Sequence, residues 1–283
     1  MSYKSLLTVL TAAETAAAPL AQIAALAEEF GAHAEALCLG VDRTQTGYYY
    51  AGANALVLQE TLARAQEEAE AIRGHAEEVL QKAGVTFATD SGIAQIADLG
   101  RHVARQARFS DLVVLDKPYG PGKRAESEPI VEAALFEGRA PVLVVPDKGA
   151  PLRQPKTVLV AWNESIEAMT AIRRALPFLK GADLVRIAVI DPPQHGPERS
   201  DPGGLLAQML ARHGVTCEID VLSKTLTRVS DILNRHATDT AADLIVMGSH
   251  AHGVLDNLFI GSVADKVVNR SKKPVLLVPL KSD

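Results

Sequence analysis

The chain is one unit written twice, and that repetition limits what it can fold into more than any other feature. An apolar run at 6–11 is followed by an Ala-rich helical segment that stops at Gly31-Ala32. A run at 158–162 is followed by a helix from about Ser165 to Lys180 that stops at Gly181-Ala182. Gly84-Val85-Thr86 and Gly214-Val215-Thr216 each open a further strand, and Leu99-x-Arg101-His102 matches Leu233-x-Arg235-His236. Asp111-Leu112-Val113-Val114 returns as Asp243-Leu244-Ile245-Val246. Pro141-Val142-Leu143-Val144-Val145-Pro146 returns as Pro274-Val275-Leu276-Leu277-Val278-Pro279. Short, fully apolar strands alternating with helices call for parallel sheets with right-handed crossovers. The expected fold class is therefore α/β: two doubly wound units, Rossmann-like, each with a parallel sheet of about five strands. The expected division is 1–147, a linker at 148–156 holding Gly149, Pro151 and Pro155, and 157–283.

The halves differ between their second and third strands. The first half carries Tyr48-Tyr49-Tyr50 and a long helix from about 55 to 82, whereas the second has a Pro/Gly-rich loop at 192–204. The tyrosines read as a packing cluster on a loop. Residues 6–11 read as a first strand rather than part of a signal peptide, and no apolar run approaches the roughly 20 residues of a membrane helix. A net charge of −5 gives no basic footprint for nucleic acid or membrane. Cys38 and Cys217 lie far apart with no metal-type spacing and read as reduced core residues, which fits a cytoplasmic location.

Chemistry concentrates in 243–280. The strand at 244–247 runs into a glycine loop, and Gly261-Ser262 opens a helix with Asp265 three residues beyond Ser262, a capping spacing. A strand, a glycine loop and a capped helix start form a cradle for phosphate, because the free N–H groups and the helix dipole favour an anion. His250 and His252 have no acidic or cysteine cluster around them to make a metal site. No nucleophile with an ordered base and no Gly-Lys-Ser/Thr loop is present.

Met247, Gly248-Ser249-His250-Ala251, nine residues, then Gly261-Ser262, with a closing Pro-Val-Leu-x-Val run, resembles the universal stress protein family. The order of strands and helices extends that likeness to almost the whole chain, as a tandem member. The resemblance implies an ATP-binding regulatory protein of the stress response, with or without Mg, whose nucleotide lies between the ends of the first and fourth strands of the second half. Carried over, Gly248, Ser249, His250 and Ala251 would surround ribose and phosphate, and Gly261, Ser262 and Val263 would face the phosphates. Val189 and Met247 would pack on the adenine, and Ala161 and Asn163 would sit at the end of the first strand. Asn163 stands where the family has an aspartate, and Ala251 where it has a second glycine. The first half shows Ala12-Ala13 for Trp162-Asn163, Asp116-Lys117-Pro118-Tyr119 for the glycine loop, and Glu128-Pro129 for Gly-Ser, so no nucleotide is expected there. The halves would pair through their last strands, as family dimers do. The partners implied are an adenine nucleotide, a second copy of the chain and an unspecified protein. The alternatives are a nucleotide-free interaction module and a slow ATPase.

Overall fold

The computed structural model describes residues 2–43, 55–192, 201–249 and 262–280, with 55–58 and 262 described by their backbone only. The first half runs β1 (Ser5–Leu10), α1 (Ala17–Phe30), β2 (His33–Asp42), α2 (Ala55–Ala83), β3 (Phe87–Gln95), α3 (Leu99–Ala107), β4 (Leu112–Asp116), α4 (Ser127–Glu132) and β5 (Val142–Val145). The second runs β6 (Thr157–Trp162), α5 (Ile166–Leu179), β7 (Leu184–Ile190), α6 (Gly204–Arg212), β8 (Cys217–Leu222), α7 (Val229–Asp239), β9 (Leu244–Ser249), α8 (Ser262–Arg270) and β10 (Val275–Pro279). The strands form one ten-stranded sheet in the order β3-β2-β1-β4-β5-β10-β9-β6-β7-β8. Every neighbouring pair is parallel except β5 with β10, where Leu276 lies opposite Leu143 and the two halves join antiparallel. The expected pairing through the last strands is thus present inside one chain. It satisfies backbone groups that two separate sheet edges would expose.

The alternation of side chains across these strands builds two cores, one on each face of the sheet. Leu6, Val114, Val158, Val160, Val189 and Val246 face the side covered by α1 and α5, while Leu7, Val113, Leu159, Ile245, Met247 and Leu277 face the other. With few aromatic residues to fill space, the close approaches depend on small ones. Gly40 lets α2 pass over β2, since a Cβ there would lie 1.8 Å from the Ala65 carbonyl oxygen.

One repeated device fixes the register of the two halves. Asp111 Oδ2 accepts the N–H groups of Lys4 and Ser5 at 2.7 and 3.0 Å, and Asp243 Oδ2 accepts those of Lys156 and Thr157 at 2.9 and 3.1 Å. In both halves an aspartate before the fourth strand holds the start of the first. This register revises one expectation: Leu10 and Thr11, not Ala12-Ala13, stand opposite Trp162 and Asn163. The sequence comparison slipped because the turn after β1 is a short 3-10 segment, Ala13–Thr15, whereas α5 starts directly behind its cap.

The halves also meet away from the sheet. Tyr3, Phe30 and Phe178 pack edge to face or tilted at 5.2–5.5 Å, and Tyr3 Oη donates to the Arg174 carbonyl at 2.7 Å. Gln22 exchanges hydrogen bonds with the Leu152 backbone in the connecting segment. Tyr119 Oη donates to Glu128 at 3.0 Å, and burial with the charges of Asp265 and Glu128 pushes its hydroxyl up. Asp265, read from sequence as the capping partner of Ser262, thus lies close to a residue of the first half.

Glu132 Oε1 and Asp265 Oδ1 are buried without a hydrogen-bond partner among the described residues. Burial, with the charges of Glu128 and Asp265, pushes the Glu132 carboxyl up to about 7. A carboxyl raised in the folded state is protonated there at pH values where the unfolded chain has already lost its proton. Stability is therefore expected to fall as pH rises from about 4.5 to about 7, by about 1–2 kcal/mol after allowing for partial exposure. Urea midpoints measured from pH 5 to 8 should show this decline in the wild type and a flatter profile in Glu132→Gln.

Candidate functional site

In a doubly wound sheet the strand order reverses between the first and fourth strands, and ligands bind at the carboxyl ends there. In the second half that point lies between β6 and β9, which pair in parallel from Val158 with Leu244 to Val160 with Val246. Ala161, Trp162 and Asn163 end β6, and Met247, Gly248 and Ser249 end β9. Val263 lies in the first turn of α8 and is exposed. Ala161 and Met247 share one face of the sheet, while Val189, paired with Trp162, lies on the other, so Val189 and Met247 flank the strand ends from opposite sides. His250, Ala251 and Gly261 lie outside the described residues, as do His252 and Tyr48 to Tyr50; Ser262 begins α8, without a described side chain.

The turn between β6 and α5 is built from short polar side chains. Ser165, in extended conformation, caps α5 by accepting the Ala168 N–H at 3.1 Å. Asn163 is exposed, and its Oδ1 accepts the Ser165 N–H at 3.3 Å, so its amide NH₂ points elsewhere as a donor. Glu164 between them has φ 63, a left-handed conformation that tightens the turn. Trp162 lies against Gly203, whose φ is 90, and its indole Nε1 is buried without a partner among the described residues. Nothing in the local sequence signals this donor.

Gly248 has a role that the motif did not reveal. A Cβ there would lie 2.6–2.7 Å from the backbone of Glu167, so the glycine admits the first turn of α5. Gly248→Ala is expected to destabilise the ligand-free protein by about 1–3 kcal/mol, the range for overpacking. Urea denaturation without ligand tests this, and an unchanged midpoint would contradict it.

The same place in the first half is filled by the chain itself. Arg124 Nη1 donates to the Thr11 carbonyl at the end of β1, at 2.9 Å, and to Glu68 at 2.7 Å, while its Nη2 pairs with Glu14 at 3.3 Å. Lys123, with its side chain only 7% exposed, bridges Asp116 and Asp147 at 2.8 and 2.6 Å. Arg43 pairs with the buried Glu126 at 2.5 Å and with Glu68 at 3.4 Å. Glu68 comes from α2, so the inserted helix and the altered loop close one site together. The space left among Thr11, Thr15, Asp116, Arg124 and Ser127 is about the size of one water molecule. The positive charges of Arg43, Lys123 and Arg124 are met by these carboxylates and are not left for a phosphate. The Lys123-Arg124-x-Glu126 run was the sequence signal for this closure.

The Universal stress protein family model matches residues 155–279. A universal stress protein from Thermus aquaticus is 30% identical over 138 residues, covering 44% of this chain and 98% of that protein. The chain belongs to the universal stress protein family. Universal stress protein Slr1230 from Synechocystis sp. is 25% identical over 285 residues, spanning 84% of this chain and 96% of its own, which extends the family likeness to both halves. The crystal structure of a universal stress protein from Archaeoglobus fulgidus matches 99% of this chain and 97% of that one with a TM-score of 0.72. At 14% identity that likeness concerns the fold. Within this tandem stress protein the two switch points differ: one is filled by its own side chains, and the other ends in Trp162, Asn163, Met247, Gly248 and Ser249.

Proposed function

We propose that this universal stress protein is a regulatory adenine-nucleotide-binding protein with one ATP site, in the second half, and that the first half binds none. We read the chain as two domains, 1–147 and 157–283, joined by 148–156. The observation that carries the reading is the contrast between the two switch points. Thr11 and Asp116 are occupied by Arg124 and Lys123, whereas Trp162 presents a buried N–H at the end of β6 that has no partner among the described residues. A buried donor without an acceptor costs about 1–3 kcal/mol, which a ligand acceptor would offset.

The residues of the second half fit a nucleotide. Bound ATP would supply the negative charge and the flat base that such a site is built to hold. The start of α8, with Ser262 and Val263, offers backbone N–H groups and the positive end of a helix dipole to phosphate, and Gly261 before it would face the same phosphates. Gly248, Ser249, His250 and Ala251 would form the loop around ribose and phosphate. Asn163 offers an amide donor in place of a carboxylate, removing one negative charge from the neighbourhood of the anion. Ala161, Val189 and Met247 contribute apolar surface on the two sides of the strand ends. Regulation would follow from occupancy, which can shift a conformation or a partner preference only through a difference in affinity between two states. Extraction of the purified protein and chromatography of the released small molecules tests the reading. Adenine nucleotide in a ratio approaching one per chain supports it. Absence of nucleotide, together with no binding at millimolar ATP, removes it.

A further inference from the structure

The first half's counterpart of the glycine loop makes contacts that closing its own site does not explain. In the register set by Asp111 and Asp243, Lys117 stands opposite Ser249 and Tyr119 opposite Ala251. Neither of these side chains turns into the first half's switch point. Both cross to the second half and meet α8, the helix whose start forms the proposed phosphate cradle.

Lys117 Nζ donates to the Asn269 carbonyl at 2.7 Å and to the Ser271 carbonyl at 3.1 Å. Asn269 is in the last turn of α8 and Ser271 directly follows the helix. The last carbonyls of a helix have no intrahelical partner and carry the negative end of its dipole, so a half-buried ammonium answers both. At the other end, Tyr119 Oη donates to Glu128 at 3.0 Å on α4, and burial together with the carboxylate of Asp265, in the first turn of α8, pushes the Tyr119 hydroxyl up. Along the helix, Asn234 of α7 adds a hydrogen bond to the Val267 carbonyl at 3.4 Å. One three-residue stretch of the first half therefore grips the C-terminal end of α8 through Lys117 and places Tyr119 near its first turn.

We propose that Lys117 and Tyr119 are positioning residues for the second half's nucleotide site: they fix α8 along its axis and so set how well its start receives phosphate. A helix N-terminus binds an anion by converging N–H groups, and convergence is lost when the helix shifts by a fraction of an ångström. Holding the C-terminal end through Lys117 restrains sliding, and Tyr119, packed against the core cluster that includes Ala264 and Val267, restrains tilting of the first turn. On this view the first half kept its loop, lost its ligand, and now works on its neighbour's site. The inference rests on the nucleotide reading for its second part only; the restraint of α8 stands without it.

Hydrogen–deuterium exchange on the full ligand-free chain tests the restraint directly, and ATP affinity measured on the same samples tests its consequence. Lys117→Met keeps the aliphatic stem and removes the donor. It is expected to speed exchange of amides in 264–271 by about tenfold, the scale of one lost charged hydrogen bond, with β5 and β10 unchanged. ATP affinity is expected to fall by a similar factor, and Lys117→Arg should restore both. Tyr119→Phe preserves packing and covers the case in which Lys117→Met fails to fold; it should loosen the first turn of α8 and weaken ATP binding. Unchanged exchange across α8 in both variants overturns the proposal. Faster exchange with unchanged ATP affinity overturns its second part. Faster exchange in a protein that binds no ATP even as wild type supports the restraint while removing the nucleotide reading.

Discussion

Arg43→Met is expected to destabilise the folded protein by about 3 kcal/mol, well beyond the 0–1 kcal/mol of an ordinary surface ion pair. The reason is its partner. The Glu126 side chain is 1% exposed, and its Oε1 is paired with Arg43 at 2.5 Å, while its Oε2 has no hydrogen-bond partner among the described residues. Removing the guanidinium leaves an uncompensated carboxylate in the closed site of the first half. Arg43 itself is 39% exposed, which places the expected loss at the lower end of the range for broken buried pairs. Urea denaturation of Arg43→Met, and of Arg43→Met combined with Glu126→Leu, separates the cause. The double variant buries no charge and should recover most of the loss. Failure to recover would mean that Arg43 stabilises through Glu68 or through its stem rather than through Glu126. Lys82→Ala, which removes an exposed partner of Glu78, serves as the control, with a change under about 0.5 kcal/mol.

The second large effect concerns the ligand. Gly261→Glu gives the second half the carboxylate that the first half has at Glu128, at the start of the corresponding helix. It is expected to weaken ATP binding at least 100-fold, about 3 kcal/mol, because a fixed negative charge competes with phosphate for the same dipole and N–H groups. The reciprocal change, Glu128→Gly, is not expected to create a site. Arg124 on the Thr11 carbonyl and Lys123 on Asp116 still fill that switch point. The asymmetry of the two results is what distinguishes a self-closed site from one that merely lost a motif. If both substitutions left ATP binding unchanged, the nucleotide would not lie at the start of α8.

Much of the fold was legible because it depends on patterns that repeat. Apolar runs bounded by Gly, Pro and Asp marked the strands, and doubling of the whole order predicted two like halves. Even the pairing of β5 with β10 followed from the need to cover their edges, while its antiparallel sense came from the structure. The register of β1 against β6 was not legible in the same way. Two Ala residues after Thr11 looked equivalent to Trp162-Asn163, and only the Asp111 and Asp243 hydrogen bonds to the strand starts settle the offset.

The candidate site was legible where it is a local motif and opaque where it depends on distant partners. Glycine spacing singled out Gly248, but its demand for space comes from Glu167, 81 positions earlier in the chain. Nothing local tells that Glu126 is buried, that Arg43 crosses 83 positions to reach it, or that Lys117 crosses 152 to hold the end of α8. Charged residues in loops read as solvated by default, and these do not because the inserted α2 and the antiparallel junction bring partners over them. Trp162 is a similar case, since the orphaned indole N–H arises from the packing of Gly203 against it.

The central claim is that a tandem stress protein with two like halves has one adenine-nucleotide site, in the half whose switch point shows no closing ion pairs among the described residues. Equilibrium dialysis of the full chain against ATP, with wild type, Gly261→Glu and Glu128→Gly measured side by side, tests it most directly. The account predicts saturation at one ATP per chain in the wild type and in Glu128→Gly, and loss of binding in Gly261→Glu. Saturation at two per chain, or binding that survives Gly261→Glu, would contradict it.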